Sequence, residues 1–122
     1  MPKPLALSLV VLTAACASDL PIKEPSVAGK FENACLPEAV ILKEALLQAH
    51  IESKILIIHA TTWSHAAVVY VYPRENPKVW VWDSTAKSLQ VRASYDNPAQ
   101  IAKAWLAEQA KDNAGVRAEF LL

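Results

Sequence analysis

Cys35, His65 and Asp83 are the residues of this chain whose types, order and settings could do covalent chemistry. Cys35 stands just ahead of an apolar helical run, His65 opens a β-rich run, and Asp83 closes the next one. A thiol nucleophile needs a base to take its proton, and the base needs a carboxylate to orient it; these three residues offer those roles in chain order. The segment from Val68 to Trp82 reads VVYVYPRENPKVWVW, two β-rich runs joined by Pro, Asn and charged residues, which predicts a hairpin. With Val69 facing Val79 and Ala67 facing Val81, His65 falls opposite Asp83. Strand side chains alternate with period two, so both then share one face.

The surrounding elements must hold that arrangement. Asn33-Ala34-Cys35-Leu36-Pro37-Glu38 leads into AVILKEALLQAH, a run rich in helix formers. Pro37 suits a first helical turn, where its missing N–H is not needed. Cys35 is thereby expected at a helix N-terminus, where the helix dipole favours a thiolate. Lys54 to Ala60 is expected as a buried strand, and Ser88 to Ala93 as a half-exposed one. Asp96-Asn97-Pro98 marks a helix start, with Asn97 as N-cap and Pro98 at the first helical position. Ile101, Ala104, Trp105 and Glu108 then recur at helical spacing, and Val116 to Leu122 is a candidate closing strand. Together these predict an α+β domain in which the Cys-bearing helix packs on an antiparallel sheet and a second helix lies near the C-terminus. Tyr70, Tyr72, Trp80 and Trp82 share the hairpin face opposite His65, which could serve as a sugar- or peptide-stacking surface but is expected to be covered by the C-terminal helix with Trp105.

Composition narrows the function. A chain of 122 residues with 53% hydrophobic residues makes one domain with one modest core. Lys+Arg and Asp+Glu balance at 12 each, without long runs, which disfavours DNA and RNA as partners. With two Gly residues there is no Gly-rich phosphate loop, so no nucleotide cofactor is expected. No C-x-x-C or H-E-x-x-H pair occurs, and no metal is expected either.

The first 17 residues have the pattern of an export signal: Lys3 gives a positive start, Leu5 to Ala15 is apolar and small, and small residues flank Cys16. The run is short for a bilayer span. Leu12-Thr13-Ala14-Ala15-Cys16 resembles the lipobox of bacterial lipoproteins, which implies cleavage before Cys16 and lipid on its thiol. Ala15-Cys16-Ala17 equally fits ordinary cleavage after Ala17, releasing a soluble periplasmic or secreted protein. Either route leaves Cys35 as a lone thiol in an exported chain, whether as a reactive group or as a small buried hydrophobe. Residues 18–32, with Asp19, Pro21, Lys23, Glu24, Pro25, Ser26 and Gly29, read as a tether or lead-in, and 33–122 as the domain.

The Cys35 helix start, the run Ser64-His65-Ala66-Ala67-Val68-Val69 and the run Val79-Trp80-Val81-Trp82-Asp83-Ser84-Thr85 resemble the core of transglutaminase-like domains, within the papain-like cysteine peptidase fold. The resemblance spans about Asn33 to Thr85, and departs from the family pattern at Leu36 and Ser84. It implies a Cys35–His65–Asp83 triad and acyl transfer through a thioester, with water as acceptor in a peptidase or amidase and an amine in a transpeptidase. The Cys35 backbone N–H, with the side chain of Asn33 or Trp63, is the candidate oxyanion donor set. Substrates implied are envelope proteins, peptides or peptidoglycan stem peptides. His59 within its apolar strand and His50 at a helix end have structural roles open to them, as do His65 at a strand end and Asp83 at a turn. The competing function is an inactive papain-like lipoprotein adaptor that binds an envelope protein or peptide.

Overall fold

The computed structural model describes residues 17–18, 20–23, 35–83 and 86–121. The elements are strand β1 (Ala17–Ser18), helix α1 (Cys35–Gln48), strands β2 (Ser53–His59), β3 (Ser64–Tyr72), β4 (Lys78–Asp83) and β5 (Ala86–Val91), helix α2 (Pro98–Glu108) and strand β6 (Arg117–Leu121). The strands form one six-stranded sheet in the order β1-β5-β4-β3-β2-β6, antiparallel throughout. One helix covers each face. Against α1 lie Ala66, Val68, Tyr70 and Trp82, packed on Ala39, Leu42 and Leu46. Against α2 lie Ala67, Val69 and Val81, packed on Ile101, Trp105 and Leu106. A central strand in such a three-layer arrangement must be apolar on both sides, and β3 is buried without interruption from Ala66 to Tyr70.

The hairpin forms with a register two residues from the one expected: Val69 pairs with Val81, Val71 with Val79, and Tyr72 with Lys78. Proline explains the shift. In the expected register Pro77 would occupy a ladder position opposite Val71, where it has no N–H to give; the observed register leaves both Pro73 and Pro77 in the turn. A slip of two preserves side-chain parity, so His65 and Asp83 still share a face, now as diagonal rather than directly opposed neighbours.

The helices end alike and are anchored differently. In α1 the Ile51 N–H reaches Leu46 O at 2.9 Å and the His50 N–H reaches Leu47 O at 2.9 Å, with His50 at φ 62°. In α2 the Lys111 N–H reaches Leu106 O at 2.9 Å and the Ala110 N–H reaches Ala107 O at 3.0 Å, with Ala110 at φ 57°. Both are left-handed caps that satisfy the last carbonyls, built without glycine. At its start α2 has the expected cap, Asn97 Oδ1 accepting from the Gln100 N–H at 3.0 Å. Lys54 fixes that end to β2, donating to Asp96 Oδ1 at 3.1 Å while lying over the Tyr95 and Phe120 rings. Because the α1 cap runs straight into β2, α1 lies antiparallel to β2, and Cys35 starts the helix toward the His59–Ser64 end of the sheet.

Two expectations change. The aromatic face of Tyr70, Trp80 and Trp82 is covered by α1, not by the C-terminal helix. The reason is parity: Trp105 packs with the Ala67 and Val69 face, which is the face of His65. The lead-in also begins on the sheet, since Ala17 pairs with Leu89 and Ser18 with Ser88, while Leu20 and Ile22 pack beside the α1 cluster.

Candidate functional site

His65 is the second residue of β3 and Asp83 the last of β4, so the antiparallel pairing brings both to the same end of the sheet. The His65 Nε2 lies 2.9 Å from Asp83 Oδ2. The carboxylate is 4% exposed and the imidazole 22%. A buried carboxylate without a partner would be strongly unfavourable, and His65 is a partner it has in this position. Since an ionised carboxylate only accepts, Nε2–H donates and the imidazole is held in one tautomer. Nδ1 is then the nitrogen left to accept a proton from a reacting group.

Trp105 completes the setting, on the His65 face and not over the aromatic face of the hairpin. Its ring lies 5.9 Å from the His65 ring and 5° from parallel, an offset stack. Its position follows from the fold: α2 starts beside Lys54 and runs toward the His65 end, so a residue about two turns in arrives over His65. Trp105 is 2% exposed and its Nε1–H is buried, with no hydrogen-bond acceptor among the described residues. One face of the imidazole is thus closed by protein while its rim stays partly open.

The other expected site residues fare differently. Cys35 is the first residue of α1, and its side chain lies outside the described residues, as do Asn33 and Cys16. The body of α1 packs on the sheet face opposite His65. Trp63 lies in the turn between β2 and β3, at the His65 end; its carbonyl accepts from the Ala60 N–H at 2.8 Å, and it is 41% exposed. No group of three or more His, Cys, Asp or Glu that could hold a metal occurs among the described residues. A cleft of about 700 Å³, lined in part by Pro21, His50, Tyr72 and Arg74, lies at the far end of the sheet from His65. No helix among the described residues is long and apolar enough to cross a membrane.

A second histidine–carboxylate pair was not anticipated. His59 Nε2 lies 2.8 Å from Glu119 Oε2, and Ser64 Oγ lies 3.5 Å from His59 Nδ1. By strand alternation His59 belongs with Ile55 and Ile57, on the face that α1 covers. The pair depends on β6 adding to β2 across 60 residues of chain, which no local pattern signals. This pair is more open than the other, with side chains 30% and 67% exposed.

Comparison with known proteins gives no match: no family model, curated protein or solved structure corresponds to this chain.

Proposed function

We propose that this chain is an exported cysteine peptidase or amidase with a papain-like, transglutaminase-like frame, acting on protein or peptide amides of the cell envelope. The observation that carries the reading is the bond of 2.9 Å between His65 Nε2 and the buried Asp83 carboxylate, which leaves Nδ1 to act as base. Cys35 is the nucleophile. Its proton passes to His65 Nδ1, and the thiolate adds to the amide carbonyl carbon. The C–N bond then breaks with the amine taking the proton from His65, leaving a thioester. Water, deprotonated by His65, hydrolyses the thioester and releases a carboxylate and the free thiol. Asp83 keeps its proton-free state throughout and stabilises the imidazolium. In this reading the first turn of α1 meets His65 around the end of the sheet. The Cys16 lipid, or release after Ala17, sets the location.

A second reading keeps Cys35 and changes the base. His59, oriented by Glu119, lies on the face that α1 covers and toward the end where α1 begins. One experiment separates these readings from the adaptor. Cys35 is alkylated at neutral pH with a peptide-directed thiol electrophile, in the native protein and in His65→Ala and His59→Ala variants. Labelling that falls about 100-fold in His65→Ala alone supports the triad, taking the lower range of base contributions. A fall in His59→Ala alone moves the base to the second pair. Labelling only in denaturant, in all three proteins, makes Cys35 a structural thiol and leaves the binding module.

A further inference from the structure

The sheet ends on one side at β6, whose outer edge has no neighbouring strand among the described residues. Sheet edges are ordinarily blunted by Pro, by a bulge, by charged side chains or by a short strand. β6 has no Pro and no bulge: it reads RAEFL, pairs with β2 through five consecutive residues without a shift, and its two charges, Arg117 and Glu119, are of opposite sign. The opposite margin is built differently, with a two-residue strand, β1, as its outermost element.

We infer that β6 pairs with β6 of a second copy of this chain, joining the two sheets across a twofold axis at Ala118. The charge pattern selects both the partner and the register. Arg117 and Glu119 are exposed, opposite in sign and two residues apart, so they share a face. An antiparallel pairing of the strand with itself about Ala118 sets each Arg117 directly across from the other copy's Glu119, forming two equivalent ion pairs. Centring on Glu119 instead would oppose two carboxylates, which is destabilising. An Arg-x-Glu strand is therefore complementary to its own antiparallel copy in one register. His59, already 2.8 Å from Glu119, adds a further positive neighbour when protonated and flanks the same row. The contact extends the sheet by backbone hydrogen bonds and leaves both α1 helices on one side and both α2 helices on the other. This register opposes residues 117–119 of the two strands, with Phe120 and Leu121 falling opposite Val116 and Gly115, so the interface is small and the dimer weak and concentration-dependent.

Sedimentation velocity across about three decades of concentration centred on the micromolar range tests this. The native chain should pass from monomer to dimer. Arg117→Glu and Glu119→Arg each oppose like charges and should remain monomeric, with unchanged circular dichroism showing that they fold. Mixing these two variants should give a heterodimer, since each strand then meets its complement, and the double variant R117E/E119R should dimerise like the native chain. A native chain that stays monomeric at the highest concentration overturns the proposal. So does a dimer indifferent to the single changes, or a failure of the mixed variants to pair.

Discussion

The two faces of the sheet are built to different rules. The α1 face is a packing surface: Tyr70, Trp80 and Trp82 lie with Ala39, Leu42 and Leu46, and its buried polar contact is Tyr70 OH donating to Ser88 Oγ at 2.6 Å. The α2 face is equally apolar over most of its area but carries, at one end, a buried carboxylate, a partly open imidazole and an indole stacked on it. Satisfied polar groups in a dry layer specify packing. A half-open histidine tied to a buried carboxylate satisfies that carboxylate and also leaves its second ring nitrogen at a partly open rim, which supports the proposed chemistry.

Changes to the two layers should separate stability from reactivity. Trp105→Ala should be the most damaging, losing about 4 kcal/mol of unfolding free energy as a large buried aromatic and, with it, the His65-dependent reactivity of Cys35; urea unfolding and thiol alkylation measure the two losses. Leu42→Ala removes a fully buried side chain from the other face and should lose about 3 kcal/mol. Its alkylation, measured well below the unfolding midpoint, should stay close to native, so a large fall there would erase the distinction between the faces. Asp83→Asn keeps the shape but replaces the carboxylate, and should lose about 2 kcal/mol together with a reactivity drop of up to the roughly 100-fold of His65→Ala and no more, because Asp83 acts only through the orientation of the imidazole.

The smallest effect belongs to Tyr70. Burial pushes its hydroxyl up to about 12 from an ordinary 10.0, and burial also holds Tyr95 above its usual value. The unfolded chain ionises near 10 while the folded one resists, so the contribution is fully present below pH 10 and is lost as pH rises toward 12. Tyr70→Phe should cost about 1 kcal/mol at neutral pH by leaving the buried Ser88 hydroxyl without its donor, and should flatten the alkaline decline. Denaturant midpoints at pH 7 and across the alkaline range give both readings. An unchanged alkaline slope in Tyr70→Phe would assign that decline to other groups.

Local signals carried much of this fold. The Asn97-Pro98 helix start, the proline-bearing turn and the β-rich runs around it each follow from residues within a few positions of one another. The shared face of His65 and Asp83 also came through, because it needs only parity, and a register error of two leaves parity unchanged. The register itself depends on Pro77, which cannot donate to the ladder, and the strand ends differ from those expected by one or two positions. Which helix covers which face was not legible: β3 is apolar on both sides, so its pattern gives no direction. The stack of Trp105 on His65 and the pairing of His59 with Glu119 arise from strands and helices that meet only in the tertiary fold.

The most direct test of the account is the pH dependence of Cys35 alkylation in the folded protein, measured for the native chain and for His65→Ala. A thiolate–imidazolium pair keeps the thiol reactive well below the ordinary thiol range near 8.5, so the native profile should extend to distinctly lower pH than that of His65→Ala. A single rise near the ordinary thiol range, the same in both proteins, would contradict the claim that His65 and Asp83 serve Cys35.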